Sequence, residues 1–153
     1  MLPQALYWHE AGHALVAHLQ GGIVTLVTTE SDDSERQGHT EVRWQQAPGD
    51  AFARKLALTA LAGPLAELHY TGTADLDDPE VLSSFGDDSV EFENRLNELA
   101  QNPEQRMALA RELTTELWQL FADPEVEERL ARIADMLEAH ETLDETLFLD
   151  AVR

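Results

Sequence analysis

The spacing of two histidines near the start of the chain constrains the fold more than any other feature. His9 and His13 lie four positions apart, and Glu10 stands between them in the run HEAGH. On an α-helix, residues four apart lie one above the other on the same face. Both imidazoles therefore reach toward one metal ion, which is most often zinc. Glu10 is then placed to remove a proton from a water molecule that the metal activates.

The residues around this motif predict the helix that it needs. Pro3 suits a first helical turn, where its missing N–H costs nothing. Gly21-Gly22 predicts a stop after Gln20, and the apolar residues between predict a largely buried helix. Gly12 lowers helix propensity relative to alanine, but a small residue is useful where another backbone passes close. The competing interpretation is a chance HExxH on a core helix, and the helical context makes it the less favoured one.

The remaining pattern predicts an α+β fold that is mainly α-helical. It consists of the motif-bearing helix, a small β-hairpin or sheet over about 23–45, and then a bundle of about five helices. No repeat and no linker divides the chain, so residues 1–153 are expected to form a single domain. The predicted strands are 23–29 and 39–45, the second with Thr40, Val42 and Trp44 on one side. The predicted helices are 51–70 (capped by Asp50, kinked at Gly63-Pro64), 87–101, 104–121, 125–140 and 143–152, with a loop over 71–85.

Charge and composition exclude several classes of function. The formal net charge is −20, with 30 Asp and Glu against 10 Lys and Arg, which disfavours a nucleic-acid or anionic-membrane partner. The absence of cysteine excludes disulfides and cysteine-ligated zinc. It also favours a reducing compartment, so we expect a cytoplasmic protein. No apolar run reaches the length of a membrane span. The N-terminus lacks a basic region, and a cleaved leader is not expected because cleavage would remove the motif.

A catalytic zinc site needs a third protein ligand and leaves the fourth position for water. His18 is a poor candidate because it points away from the metal-binding face. His69 and His140 are possible ligands, although such histidines more often serve surface or packing roles. Glu67 is a better candidate, since a lone acid on a buried helix needs a partner.

Asp87 and Asp88 are further candidates, and the helix that follows separates them. Asp88 lies four residues before Phe92, on the apolar stripe of that helix, whereas Asp87 falls on its outward side. The competing interpretation for Asp88 is a capping box over Asp88-Ser89-Val90-Glu91. A cap and a metal ligand compete for the same carboxylate oxygens.

Four segments together resemble a known family. The run HEAGHALVA, residues 9–17, is similar to the start of the peptidase domain of the FtsH family, the M41 zinc metallopeptidases. LAGPLAE, residues 61–67, resembles a segment of the family's second helix. SFGDD, residues 84–88, resembles the stretch whose aspartate is the family's third zinc ligand, and Asp88 is the best match. Gly38-His39-Thr40 is similar to a Gly-aromatic-Thr on the strand that lines the substrate cleft.

The resemblance covers about residues 5–100, and the C-terminal helices over 104–153 match only in character. It implies a zincin-like peptidase domain with one Zn²⁺ per chain, held by His9, His13 and Asp88, with Glu10 as the catalytic base. Glu67 and Asp87 would support a ligand histidine or replace Asp88 as the ligand. Residues 38–40 would form the strand that pairs with substrate.

The family joins this domain to a membrane anchor and an AAA ATPase, and this sequence shows neither a membrane span nor a Walker A pattern. The chain therefore looks like a stand-alone relative that hydrolyses peptide bonds in unfolded chains or short peptides without ATP. The alternatives are a catalytically silent M41-like fold, acting as a metal-binding or partner-interaction domain, and a zinc hydrolase for non-peptide amides. Glu10 discriminates between an enzyme and the silent alternative, because a purely structural site has no use for it. The oligomeric state is left open, a homo-oligomer included.

Overall fold

The computed structural model describes residues 3–30, 38–72 and 86–153. Over these residues it has six helices and one three-stranded antiparallel sheet, which confirms the predicted mainly helical α+β fold. Most of the predicted loop over 71–85 and the acidic stretch 31–37 lie outside the described residues. In chain order the elements are α1 (Pro3–Leu19), β1 (Ile23–Thr28), β2 (His39–Arg43), α2 (Asp50–Thr71), α3 (Asp87–Leu99), α4 (Pro103–Ala122), α5 (Pro124–His140), β3 (Thr142–Asp144) and α6 (Glu145–Val152).

Helices α1 and α2 form the centre of the molecule and lie in close contact. At the crossing, a Cβ added to Gly12 would lie 2.5 Å from the Ala62 carbonyl oxygen and 2.6 Å from the Ala66 Cβ. Both distances are shorter than side chains tolerate, so only glycine fits at this position. This confirms that the small residue inside the HEAGH run admits a neighbouring backbone.

Helix α2 is buried along most of its length, as predicted, and it continues through Pro64 to Thr71. Pro64 has no N–H, so the Ala60 carbonyl cannot receive its usual helical hydrogen bond. The expected cap at Asp50 is wrong. The helix already includes Asp50, its N-cap is Gly49, and no side chain caps it. A carboxylate in the first turn still interacts favourably with the helix dipole.

The sheet has the order β2–β1–β3, so β2 forms one of its edges. β1 and β2 pair as an antiparallel hairpin from Ile23↔Arg43 to Thr28↔His39, with an irregularity between Val24 and Leu26. From Thr40 onward, residues of β2 alternate between partly buried and exposed, as the sequence predicts. The strand ends at Arg43, two residues before its predicted end.

Strand β3 was not predicted, and the expected helix from Leu143 onward is wrong at its start. Leu143 is fully buried and pairs with Val27 in the centre of the sheet. The helix begins only at Glu145 because Asp144 caps it, accepting a hydrogen bond from the Leu147 backbone N–H at 2.9 Å. An N-cap residue has extended backbone geometry and cannot itself be helical. That rule was the sequence signal for the correct boundary.

A single hydrophobic cluster draws on all six described helices and on β1 and β3. Helices α4 and α5 begin at Pro103 and Pro124, close to their predicted starts, and are capped by the side chains of Asn102 and Asp123. The described helices do not include one that combines the length and the apolar character needed to cross a membrane.

Candidate metal centre

Three side-chain atoms from two distant parts of the chain meet at one point. Nε2 of His9 and Nε2 of His13 lie 3.2 Å apart on α1. Oδ2 of Asp88, in the first turn of α3, lies 2.7 Å from Nε2 of His9 and 3.1 Å from Nε2 of His13. Atoms this close together can share one ion.

His13 is held in place by the backbone of α2. Its Nδ1–H donates a hydrogen bond to the Thr59 carbonyl oxygen at 2.7 Å, which leaves Nε2 for the shared point. The ring lies against Gly63, where an added Cβ would be 2.6 Å from Cε1 of His13 and 2.7 Å from Cδ2. Glycine at position 63 therefore makes the space that the ring occupies.

His9 is oriented by a carboxylate of the same helix, α2. Its Nδ1–H donates to Oε1 of Glu67 at 2.9 Å, and both side chains are mostly buried. A partner on Nδ1 fixes the ring orientation and directs Nε2 to the opposite side. Glu67 thus contacts a histidine rather than the shared point itself.

The two adjacent aspartates at the start of α3 differ in their surroundings. Asp88 is partly buried and bonded to both histidines, whereas Asp87 is exposed. The N-cap of α3 is Gly86, and no side-chain cap hydrogen bond is present. The capping-box interpretation of Asp88 is therefore wrong, because its carboxylate is engaged by the histidines instead.

Glu10 lies beneath strand β2. Its side chain is buried, with 4% of the residue exposed, and Oε1 accepts a hydrogen bond from the Thr40 hydroxyl at 3.2 Å. Ligand-type atoms of His9, Glu10 and His13 all lie within 4.8 Å of one another. This cluster is able to bind a metal ion. Oδ2 of Asp88 lies 2.7 Å from Nε2 of His9 and 3.1 Å from Nε2 of His13, so it adjoins this cluster.

The electrostatics of the metal-free site favour a positive charge at the shared point. Burial lowers the pKa of His9, but its hydrogen bonds to Asp88 and Glu67 and the nearby carboxylates outweigh burial and raise that pKa to about 10. Burial likewise lowers the pKa of His13, and the Asp88 carboxylate more than reverses the effect. For Asp88, burial raises the pKa, but the two histidines hold it well below its usual value. A proton or a cation therefore satisfies this cluster.

The pKa of Glu10 shifts in the opposite direction from the pKa of Asp88. Burial raises the pKa of the Glu10 carboxyl, and the nearby histidines and the Thr40 hydroxyl offset only part of that effect. A carboxylate with a raised pKa holds a proton more readily than an exposed one does. This property suits a group that accepts and then releases a proton.

The other described histidines lie elsewhere. The His18 ring packs against Phe148, His69 is bonded to Glu127 at 2.9 Å, and His140 is the last residue of α5. His39, in the expected substrate strand, lies with its Nε2 3.8 Å from a Glu41 carboxylate oxygen.

Sequence reasoning missed the two α2 groups that hold His13. The Thr59 carbonyl is a backbone group, so its role does not depend on residue type and leaves no sequence signal. Gly63 did carry a signal, since a glycine inside a buried helix usually reflects close packing. The sequence interpretation assigns Gly63, together with Pro64, to a kink and does not include this contact.

Comparisons with known proteins do not assign the chain to a family. No protein-family model matches it, and no curated protein matches it.

Proposed function

We propose that this chain is a zinc-dependent peptidase that hydrolyses peptide bonds in unfolded chains or short peptides without ATP. The observation that carries the proposal is the convergence of Nε2 of His9, Nε2 of His13 and Oδ2 of Asp88, beside a buried glutamate. Such a set combines three ligands with a base, which a purely structural site does not need.

The distances support one zinc ion per chain. Ligand atoms at about 2.0–2.1 Å from a tetrahedral zinc lie about 3.3–3.4 Å from one another. The observed separations are 3.2, 3.1 and 2.7 Å, so only the contact between Asp88 and His9 must open appreciably. Three nitrogen and oxygen ligands with an open fourth position are typical of catalytic rather than structural zinc.

The proposed chemistry is hydrolysis of an amide. A bound zinc would lower the pKa of a water molecule and polarise the scissile carbonyl. Glu10 accepts a proton from the attacking water and passes it to the leaving nitrogen as the C–N bond breaks. The products are a carboxylic acid and an amine. Asp88 would hold the metal together with the two histidines, while Glu67 keeps the His9 ring oriented and the Thr59 carbonyl keeps the His13 ring oriented.

The position of the neighbouring sheet favours a substrate in an extended conformation. Strand β2 is an edge strand and passes directly over Glu10, so a peptide added alongside β2 would lie beside the base. We assign Gly38, His39 and Thr40 to this substrate strand. The sequence has no Walker A pattern that would couple substrate unfolding to ATP, so we propose that substrate arrives unfolded. The formal net charge of −20 disfavours nucleic acid as a partner.

The first experiment tests the metal and the base together. Purified protein is expected to carry about one zinc per chain. Glu10→Gln should retain zinc and fold while losing about 10²–10⁴-fold in kcat, since only the base is removed. Glu127→Gln, which changes an exposed partner of His69, is the control and should stay active.

Absence of any transition metal after zinc addition, or an active Glu10→Gln variant, would overturn the proposal. Zinc binding without any peptidase activity in the unaltered chain would favour the silent, metal-binding alternative.

The second experiment tests the state of the substrate. A casein-like unfolded protein is compared with a stably folded domain that carries the same cleavable sequence. We expect cleavage of the unfolded chain only, at a rate that ATP does not change, because exposing a segment of a folded domain costs much of its global stability. Efficient cutting of the folded domain by this chain alone would contradict the proposed substrate class.

A further inference from the structure

We infer that Thr40 is a positioning residue that holds the Glu10 carboxylate in its working orientation. The inference rests on the proposed function, because it concerns the base of that reaction. It assigns to strand β2 a role through a side chain, in addition to pairing with substrate through the backbone.

The contacts of Glu10 place it between α1 and β2. Among the residues that the structure describes, the Thr40 hydroxyl supplies the hydrogen bond to this carboxylate, 3.2 Å from Oε1. Gly38 lies over the stem of the same side chain, since a Cβ there would be 3.3 Å from both Cγ and Cδ of Glu10. One carboxylate oxygen is thus engaged by Thr40, and the second remains available for a proton.

Thr40 is well anchored for this task. It pairs with Val27, which is fully buried in the centre of the sheet. Its side chain is on the partly buried side of β2, which Val42 shares, whereas Glu41 is exposed. A β-branched side chain also has few accessible rotamers. The hydroxyl is therefore fixed relative to α1, and a carboxylate bonded to it loses rotational freedom before substrate arrives.

The kinetic test uses variants that separate the hydroxyl from its surroundings. Thr40→Val keeps the shape and the backbone hydrogen bonds but removes the donor, while Thr40→Ser keeps the donor. We expect Thr40→Val to lower kcat about tenfold, consistent with loss of one hydrogen bond to a charged group, with KM and zinc content unchanged. Thr40→Ser should restore most of kcat. Thr40→Ala removes the donor without any steric demand and serves as the second variant if Thr40→Val does not fold.

A matched control is available on the neighbouring strand. The Thr25 hydroxyl donates to the Glu41 carbonyl oxygen at 3.3 Å, in an exposed position. Thr25→Val removes a similar hydrogen bond from the same sheet without contact to Glu10. It should leave kcat unchanged, which separates the positioning role from a general effect on the sheet.

A crystallographic comparison gives a readout that does not need activity. In zinc-loaded crystals, the Glu10 carboxylate should keep its orientation in the unaltered chain and in Thr40→Ser, and should rotate away in Thr40→Val. If the carboxylate rotates but the unaltered chain cleaves nothing, the positioning role stands and the proposed function fails. If the unaltered chain is active and Thr40→Val matches it, with the carboxylate in place, the positioning role is overturned and the proposed function stands.

Discussion

The α1–α2 pair and helix α3 both contribute to the candidate metal centre, but they hold their side chains by different means. In the pair, His13 is bonded to a backbone carbonyl and lies in the space left by Gly63. His9 is bonded to Glu67 within the same two-helix unit. Helix α3 presents Asp88 from its first turn, where the side chain is 27% exposed and is hydrogen-bonded to the histidines themselves.

This difference separates two parts of the site. The histidines are held by groups that lie outside the metal position, whereas Asp88 is held by the histidines themselves. The histidines have partners on their Nδ1 atoms that exist whether or not a metal binds. Among the residues that the structure describes, Asp88 is hydrogen-bonded to the two ring nitrogens that the metal would contact. Changes in the α1–α2 pair should therefore affect folding and metal binding together, whereas changes at Asp88 should act mainly on metal binding and on the charge of the two histidines.

The largest effect is expected from Asp88→Asn. If a zinc-binding free energy of about 10–16 kcal/mol is shared over four ligands, one ligand contributes about 3 kcal/mol, or more than a hundredfold in affinity. Titration with a competing chelator measures the loss. At neutral pH the metal-free variant should also denature at a lower urea concentration, because protonated His9 loses its Asp88 carboxylate partner. Asp87→Asn is the matched control and should bind zinc normally. Equal affinity in Asp88→Asn would move the third ligand to Glu67 or Asp87.

Gly63→Ala tests the packing between α1 and α2 around the His13 ring. Alanine is favoured over glycine in a helix by about 1 kcal/mol, but its Cβ would collide with the His13 ring. Overpacking should dominate and destabilise the protein by about 2 kcal/mol, with weaker zinc binding as well. Urea denaturation of the metal-free protein measures the first effect. The same substitution in a His13→Ala background should cost less, and an equal cost there would show that the ring is not the obstacle.

Glu67→Gln should have a smaller effect, which sharpens the contrast between supporting and ligating groups. The amide can still accept from Nδ1 of His9 but carries no charge, so zinc affinity should fall about 10–100-fold. Glu127→Gln changes the other His–Glu bond of the same 2.9 Å length, between α5 and His69, and should leave affinity unchanged. A larger loss than that of Asp88→Asn would identify Glu67 as a ligand.

Changing pH should move stability and metal affinity in opposite directions. In the folded metal-free protein the pKa of His9 is raised from 6.5 to about 10. Protonation of His9 therefore makes its full contribution to the free energy of unfolding below pH 6.5, and this contribution is lost as the pH rises toward 10. Metal-free stability should therefore fall over this range. Zinc has to displace the same proton, so its affinity should increase about tenfold per pH unit. Denaturation and zinc titration at pH 6.5, 7.5 and 8.5 measure both trends, and a pH-independent affinity would contradict the assignment of His9 as a ligand.

The sequence predicted elements best where a local pattern fixes them. The α1 helix, the β1–β2 hairpin and the starts of α4 and α5 follow from periodicity, alternation and proline positions. β3 was missed because three residues carry too little pattern, and its pairing partner Val27 is more than a hundred positions away. The N-cap of α2 was misplaced by one residue, since both glycine and aspartate are suitable caps.

The sequence by itself determined that His9, Glu10 and His13 share a short stretch of helix, because a spacing of four is a property of the α-helix and needs no partner. It also set Asp88 on the inward stripe of its own helix. Only the tertiary structure decided that Asp88, 75 positions beyond His13, meets both ring nitrogens, and that Thr59, Gly63 and Glu67 hold those rings in place. Contacts of this kind depend on how helices pack, and packing is set by the complementary shape of whole surfaces rather than by any local spacing.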